Sequence, residues 1–266
     1  MHDMNSRTIQ TVEHSLDVVW ALRKLEKATV SELAEHLDMS PSGIHHHLAT
    51  LRKRRFVVQE DDKYRLSYLF FNFGQFIKHR TPLCRIAEPQ LQSLSKDTSE
   101  HAVLITEEFG EAIYLFRSIG KGEVDEEFRE GLLEKRAKLH ENSVGKAILA
   151  QYDRERIEEI IEYHGLPERT SSTITDREEL WKELERIREQ GYAINNEESV
   201  PGIRSIGAPI TLSDGRTPGA ISLGGPASRM TMERMRSELA PKLIDTANII
   251  QVRIETHQNT PGYDAV

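Results

Sequence analysis

The 266-residue sequence predicts an α+β protein built in two parts, and three observations carry that expectation. Residues 1–67 pattern as three short helices followed by a strand–turn–strand hairpin. Residues 83–256 intersperse strand patterns with amphipathic helices and hairpin turns, the arrangement of an α+β domain. The charge divides along the same line. Net charge is −8, yet residues 1–80 hold 12 Lys/Arg against 10 Asp/Glu, so a head of +2 precedes a body of −10.

In the head, Val12, Leu16 and Val19, continued by Leu22 and Leu25, place an apolar stripe on a helix over 9–26. A short helix follows over Val30–Leu37, with Ser31 as its expected N-cap and Leu33 and Leu37 facing inward. Asp38-Met39-Ser40-Pro41 breaks it, and Pro41 suits the first turn of the next helix. That third helix runs from Pro41 to Arg54 with Ile44, Leu48 and Leu51 on one face. At about 100° per residue its other face presents Ser42, His46, Ala49, Thr50 and Lys53. Phe56–Gln59 and Tyr64–Leu66 then read as strands around a polar turn, which completes a winged helix-turn-helix.

A helix that enters a major groove needs small or polar side chains on its contact face and cations at its flanks for phosphates. Expected DNA contacts are therefore Ser42, Gly43, His45, His46, Thr50, Arg52, Lys53 and Arg54. An ordinary three-helix bundle with a solvated basic stretch would not need the break, the basic end and the hairpin in this order. His45-His46-His47 is not a metal site, because consecutive helical residues point about 100° apart. His45 and His46 are expected at the surface and His47 partly packed.

Residues 68–82 read as a linker helix whose Leu69, Phe70, Phe73, Phe76 and Ile77 stripe is too apolar for a flexible connection. Pro82 and Pro89 are expected to bracket the entry to another helix. Strands are expected over 101–106, 111–119, 205–212 and 219–224, the last two joined by Asp214-Gly215. Helices are expected over 143–151 and 153–163. Another should open on a Thr175–Glu178 capping box and stop at Gly191, and the last should fill much of 231–256 with a break or kink at Pro241. Together these suggest a sensor of GAF- or PAS-like shape. Residues 257–266 read as a flexible tail.

Composition narrows the function. No apolar run approaches the roughly 18 residues a membrane helix needs. MHDMNSRTIQ lacks a signal-peptide core, and the lone Cys84 cannot form an intrachain disulfide, so a cytoplasmic protein is expected. Enzymatic signatures are missing. Ser143-Val144-Gly145-Lys146 lacks P-loop spacing, Leu223-Gly224-Gly225-Pro226 is not a dinucleotide fingerprint, and no G-x-S-x-G occurs. His140 reads as a packed or capping histidine, and Glu158-Glu159 and Glu197-Glu198 as solvated faces. No metal or cofactor is expected.

Four blocks, in order, resemble the IclR family of transcription regulators. The first is Ser31-Glu32-Leu33-Ala34 through Ser42-Gly43-Ile44 to Leu51. His140-Glu141-Asn142-Ser143-Val144-Gly145-Lys146-Ala147-Ile148-Leu149-Ala150 is similar to the family's H-x-x-x-x-GKA-x-LA segment. Gly191-Tyr192-Ala193, Glu197-Glu198 and Gly202-Ile203-Arg204 through Ala208-Pro209-Ile210 resemble GYA…EE…G-x-R…API. Gly219-Ala220-Ile221-Ser222 through Gly225-Pro226-Ala227-Ser228-Arg229 resembles GA-x-S-x-x-GPxSR. Gly43 stands where a hydroxyl residue is usual and His46 where an arginine is frequent.

The resemblance implies a ligand-controlled regulator of an operator in double-stranded DNA. It implies homodimers or dimers of dimers, with the 69–77 stripe part of the contact. Its effector pocket, carried over by motif, falls on Ser143, Val144, Asn196, Ser205, Ser222 and Gly224. Hydroxyls, an amide and backbone N–H groups there would grip a small carboxylate, aided by the helix starting after Ser143. Arg204 serves either the pocket or a structural ion pair. Two alternatives remain open: a second domain that only assembles subunits, and a head that binds protein rather than DNA.

Overall fold

A computed structural model describes residues 7–120 and 137–258. From residue 259 on, the expected tail lies outside the described residues. The chain divides into two compact units, Met1–Arg80 and Thr81–Val266.

The first unit holds α1 (Gln10–Leu25), β1 (Ala28–Thr29), α2 (Val30–Leu37), α3 (Pro41–Lys53), β2 (Val57–Glu60) and β3 (Lys63–Leu66). Val18, Leu22, Leu33, Ile44 and Leu48 are its fully buried centre. The cap of α2 is Thr29, not Ser31. Thr29 Oγ1 accepts the Glu32 N–H at 3.2 Å and the Glu32 carboxylate takes the Thr29 N–H at 2.7 Å. That reciprocal box needs a hydroxyl three residues before the glutamate, and only Thr29 has that spacing. β1 pairs with β3, making the hairpin a three-stranded sheet; two residues are too short to show alternation in sequence. The expected linker helix is α4 (Leu69–Arg80), grouped with this unit. Phe70 and Phe73 meet the Phe56 ring at 5.5 and 5.9 Å, so the helix packs against the start of the wing. Its outer face is uncovered among the described residues: Phe71 is 64% and Ile77 60% exposed.

In the second unit, α5 (Pro82–Thr98) contains both Pro82, in its first turn, and Pro89, in its interior. Pro89 does not mark an entry. Leu83 and Ala87 before it and Leu91 and Leu94 after it bury one continuous face, and that packing outweighs the lost hydrogen bond. A six-stranded antiparallel sheet follows, in the order β6-β5-β4-β9-β8-β7. Its strands are β4 (His101–Glu108), β5 (Glu111–Ser118), β6 (Ala137–Lys138), β7 (Ala193–Asn196), β8 (Ile203–Ile210) and β9 (Gly219–Pro226). The short edge strands β6 and β7 have no counterpart in the sequence reading.

One face of the sheet, with Leu104, Ile206 and Leu223, packs with Leu91 of α5 and with Leu243 and Ile250 of α9 (Ala240–Gln258). The other face, with Ile105, Ala193 and Ala220, packs on α6 (Ser143–Leu149), α7 (Arg154–His164) and α8 (Arg177–Gln190). Asp176, not Thr175, caps α8 by accepting the Glu179 N–H at 2.9 Å; a charged acceptor at a helix start outcompetes a hydroxyl one residue earlier. Gly191 ends α8 at φ +80°. The disturbance expected at Pro241 takes the form of a π-helical stretch, Met235–Leu239, just before α9. Pro241 has no N–H to continue the regular ladder.

Two buried ionic clusters hold α6 and the end of β9. Lys146, wholly buried, donates to Glu198 at 2.7 and 2.8 Å, to Glu183 at 3.2 Å and to the Ile194 carbonyl at 2.8 Å. Glu198 is therefore not part of a solvated face. Burial pushes its carboxyl above the ordinary range, against the pull of Lys146. Glu100 is gripped by Arg229 at 3.0 Å and Arg234 at 2.7 Å. Burial alone would raise its carboxyl, but the two arginines outweigh burial and hold it below the usual value.

Gly207 lets α6 lie directly on the sheet, since a Cβ there would sit 2.7 Å from the Ser143 backbone and 2.8 Å from the Val144 nitrogen. Gly207→Val should therefore cost at least on the order of 1–3 kcal/mol in urea unfolding. An unchanged midpoint would mean that α6 is not pinned. Glu100 gives a pH signature. With its folded-state pKa lowered, its stabilisation is fully present above the unfolded-state pKa and drains away as pH falls through the folded value. Glu100→Gln should lower stability at neutral pH and flatten its acid-side decline. Parallel wild-type and variant curves from pH 7 downward would refute that.

Candidate functional site

The first unit presents an exposed polar face on α3. Ser42, His45, His46, Ala49, Thr50 and Lys53 are exposed, while Ile44 and Leu48 turn inward. Gly43 gives its N–H to the Ser40 cap at 3.1 Å, so the helix start is secured where Gly lowers intrinsic helicity. Arg52 donates to the Gln59 side chain, whose Nε2 donates to the Asp61 carbonyl at 2.9 Å. That guanidinium ties the end of α3 to the hairpin, whereas Lys53 and Arg54 are exposed beside it. His47 is half-buried, hydrogen-bonded to the Ser15 hydroxyl at 2.9 Å and edge-on to His14. Burial first, then the charges of His14 and His46, lower its pKa. The face can offer hydroxyls and imidazoles to base edges and cations to phosphates.

The second unit contains a cavity of about 70 Å³ between the sheet and α6. Strand register decides what lines it. Directly opposed residues share a face: Val103 with Arg117 and Ser222, His101 with Gly224, Gly224 with Ser205, and Ser205 with Asn195. All of these reach the cavity, closed from α6 by Asn142 and Val144. Tyr114 and Arg117 share it despite their odd spacing because a bulge intervenes: Leu104 opposes Phe116, but Ile105 opposes Tyr114.

Of the six expected pocket residues, Val144, Ser205, Ser222 and Gly224 line the cavity, and Ser143 hydrogen-bonds Ser205 at 2.7 Å. Whichever hydroxyl donates in that pair, the other keeps its hydrogen for a ligand. Asn196 is elsewhere. Neighbours on a strand point to opposite faces, so Asn195 faces the cavity and Asn196 faces away. Asn196 Oδ1 accepts from Arg204 at 2.8 Å, and Arg204 also pairs with Glu197 at 3.0 Å, which fixes Arg204 as a structural cation. The start of α6 is capped internally, because Asn142 Oδ1 takes the Gly145 N–H at 2.8 Å. His140 is packed, bonded to the Pro167 carbonyl at 3.1 Å.

The sequence reading missed Arg117, Tyr114, His101 and Asn195. His101 and Val103 alternate into the cavity and could have been found from that period; the bulge hid Arg117. Burial, then the charge of Glu141, pushes the Tyr114 phenol up to about 12, so it stays a donor. His101 Nδ1 accepts the Gly120 N–H at 3.4 Å, which leaves the ring hydrogen on Nε2. Among the described lining residues there is a cation, Arg117, and no carboxylate.

Comparison with known proteins agrees with this architecture. Residues 75–252 match the family described as bacterial transcriptional regulator IclR C-terminal, and residues 15–58 match the bacterial regulatory protein arsR family. The "Probable HTH-type transcriptional regulator ArcR" of Halobacterium salinarum is 34% identical over 94% of this chain and 95% of its own. The crystal structure of the Thermotoga maritima IclR superposes with a TM-score of 0.74 at 27% identity, over 93% of this chain and 99% of that one. The inducer-binding domain of the Acinetobacter PobR transcription factor, a double mutant solved in complex with 3-hydroxybenzoic acid, gives 0.58 at 27% identity. It covers 64% of this chain and 98% of its own. No helix among the described residues is long and apolar enough to cross a membrane. An exposed reading helix on a winged head, followed by a sheet domain that matches the family over most of its length, makes this chain a member of the IclR family and a DNA-binding transcription regulator.

Proposed function

We propose that a small carboxylate bound in the sheet cavity controls this regulator's hold on its operator. The carrying observation is a mostly apolar cavity with a few polar groups of one kind: Arg117 on one wall, hydroxyl donors from Tyr114 and Ser222 on others, and no carboxylate among the described lining residues. Such a wall favours an anion and penalises a cation. The aromatic acid in the PobR complex supports an organic acid as occupant of this type of domain. Size argues for a compact aliphatic one here. At about 70 Å³ the cavity is roughly half the ~150 Å³ that accommodates benzene in an engineered apolar core.

On the DNA side, Lys53 and Arg54 contact phosphates, while Ser42, His46 and Thr50 face base edges. One short helix reads only a half-site, so two heads are needed. The exposed Phe76 and Ile77 of α4 contribute to that pairing in a homodimer or a dimer of dimers. The ligand acts by binding one arrangement of the heads better than another and shifting the population between them.

Calorimetry of the full-length protein with two- to four-carbon carboxylates and with benzoate tests the cavity. Ser222→Ala should weaken the best ligand by about 1–2 kcal/mol and Arg117→Met by about 2–3 kcal/mol. Asn196→Ala should change nothing. Apo-protein binding to DNA should persist in all three. A preference for benzoate, or equal affinity in Arg117→Met, would overturn the assignment.

DNA binding is tested by its salt dependence. Lys53→Ala and Arg54→Ala should each weaken binding to every sequence and reduce the slope of log K against log salt by about 0.9. His46→Ala should instead relax base preference at one position. Unchanged slopes in both cation variants would move the phosphate contacts off the end of α3.

A further inference from the structure

A second and larger concavity lies on the side of β7 that faces away from the sheet cavity. Its volume is about 460 Å³, within the range of metabolite sites. α8 forms one wall, with Glu179, Lys182 and Arg186; the turn and π-helical stretch before α9 form the other, with Met232 and Arg236. Ile174 and Ile194 provide apolar floor, and Asn196, Gln190 and Ser172 provide uncharged polar groups.

The charge in this groove resolves once partners are counted. Glu183 and Glu198 line it, but both are already held from beneath by the buried Lys146. Lys182 and Arg236 have no ion-pair partner among the described residues, and Arg186 reaches only Glu183, at 3.1 Å. Glu179 is the remaining carboxylate on the rim. Lys182 and Arg186 stand one turn apart on α8, so they project to the same side, and Arg236 faces them from a separate element. Three exposed cations thus line the groove from two walls, two of them outside any ion pair among the described residues. The π-helical stretch, imposed by Pro241, places Arg236 on the groove wall after Met232.

We propose that this groove is a second ligand site, for an organic phosphate. Lys182, Arg186 and Arg236 in the groove lining supply positive charge for a phosphate dianion, and guanidinium groups bind its oxygens in pairs. The remaining volume and the amides of Asn196 and Gln190 suit a hydroxylated body of sugar size. The site communicates with the cavity through β7. Glu198 lines the groove, and its backbone N–H is held by Asn195 Oδ1 at 2.8 Å, while Asn195 lines the cavity. A ligand in either place therefore acts on the same turn, and any effect on affinity must be reciprocal.

The test is calorimetric titration of full-length protein with glucose 6-phosphate, inorganic phosphate and gluconate. Wild type, the Lys182→Ala/Arg236→Ala double variant and Ser222→Ala are compared. Both phosphates should bind wild type, glucose 6-phosphate more tightly, and gluconate should not enter the groove. The double variant, which alters only exposed side chains, should lose phosphate affinity by about tenfold or more, equivalent to roughly 1.4 kcal/mol. Ser222→Ala should retain it. Equal affinity in wild type and double variant, an equal loss in Ser222→Ala, or no response to either phosphate at millimolar concentration would each overturn the proposal.

Discussion

The buried ammonium of Lys146 is the interaction on which the second unit depends. Removing a cation from water costs several kcal/mol even after relaxation, and the cost is offset only when every donor finds a strong acceptor. Here the acceptors come from three places distant in sequence: Glu183 on α8, Glu198 after β7 and the Ile194 carbonyl within it. One side chain on α6 therefore fastens a helix, an edge strand and a turn. It also seals an edge. β7 ends the sheet, and outermost strands expose unpaired backbone groups that invite another chain. The Ile194 carbonyl is taken by Lys146, and the Asn196 N–H by the Glu198 carboxylate at 3.2 Å. The ion pair thus does the work of a missing neighbour strand.

With α6 fixed, the cavity follows from geometry. Gly207 allows the start of α6 to touch the sheet, and Gly145 allows the preceding turn to touch α6, since a Cβ there would collide with the Leu139 carbonyl. Ser143 then falls beside Ser205, and the cavity lies between the start of α6 and the strands. Glu100 and its two arginines brace the far end. Gly225 is small because Glu100 occupies the place a Cβ would take. Gly145, Gly207 and Lys146 are thus close-approach and anchoring positions.

This explains what was legible in the sequence. The winged head could be read because its helices are short, strongly periodic and separated by Pro41 and polar turns. The sheet strands β4, β5, β8 and β9 announced themselves through β-branched runs. β1, β6 and β7 did not, since two to four residues carry too little pattern. Asn196 was assigned to the pocket by its distance from a motif, and a strand's period of two makes a one-residue error a change of face. Arg117 was hidden for the opposite reason: a bulge breaks the period, and no local residue signals it. Lys146 was visible as part of a motif, but its partners, 37 and 52 residues away, were not. Long-range ionic contacts have no local signature, and Glu197-Glu198 looked like any solvated acidic pair.

The net charge of −8 is compatible with a DNA-binding protein once position is considered. At physiological ionic strength, exposed charges more than about 8–10 Å apart scarcely act on one another. The charge that a phosphate meets at the end of α3 is therefore set locally, by the run Arg52-Lys53-Arg54-Arg55. Within the second unit the buried acids Glu100, Glu183 and Glu198 are each closed by a lysine or arginine. On the groove rim, Lys182 and Arg236 have no ion-pair partner among the described residues, and they stand out against that neutralised background. Selectivity for anions then follows from local pairing rather than from total charge, because a cation whose neighbours are already satisfied has only an incoming ligand to neutralise it.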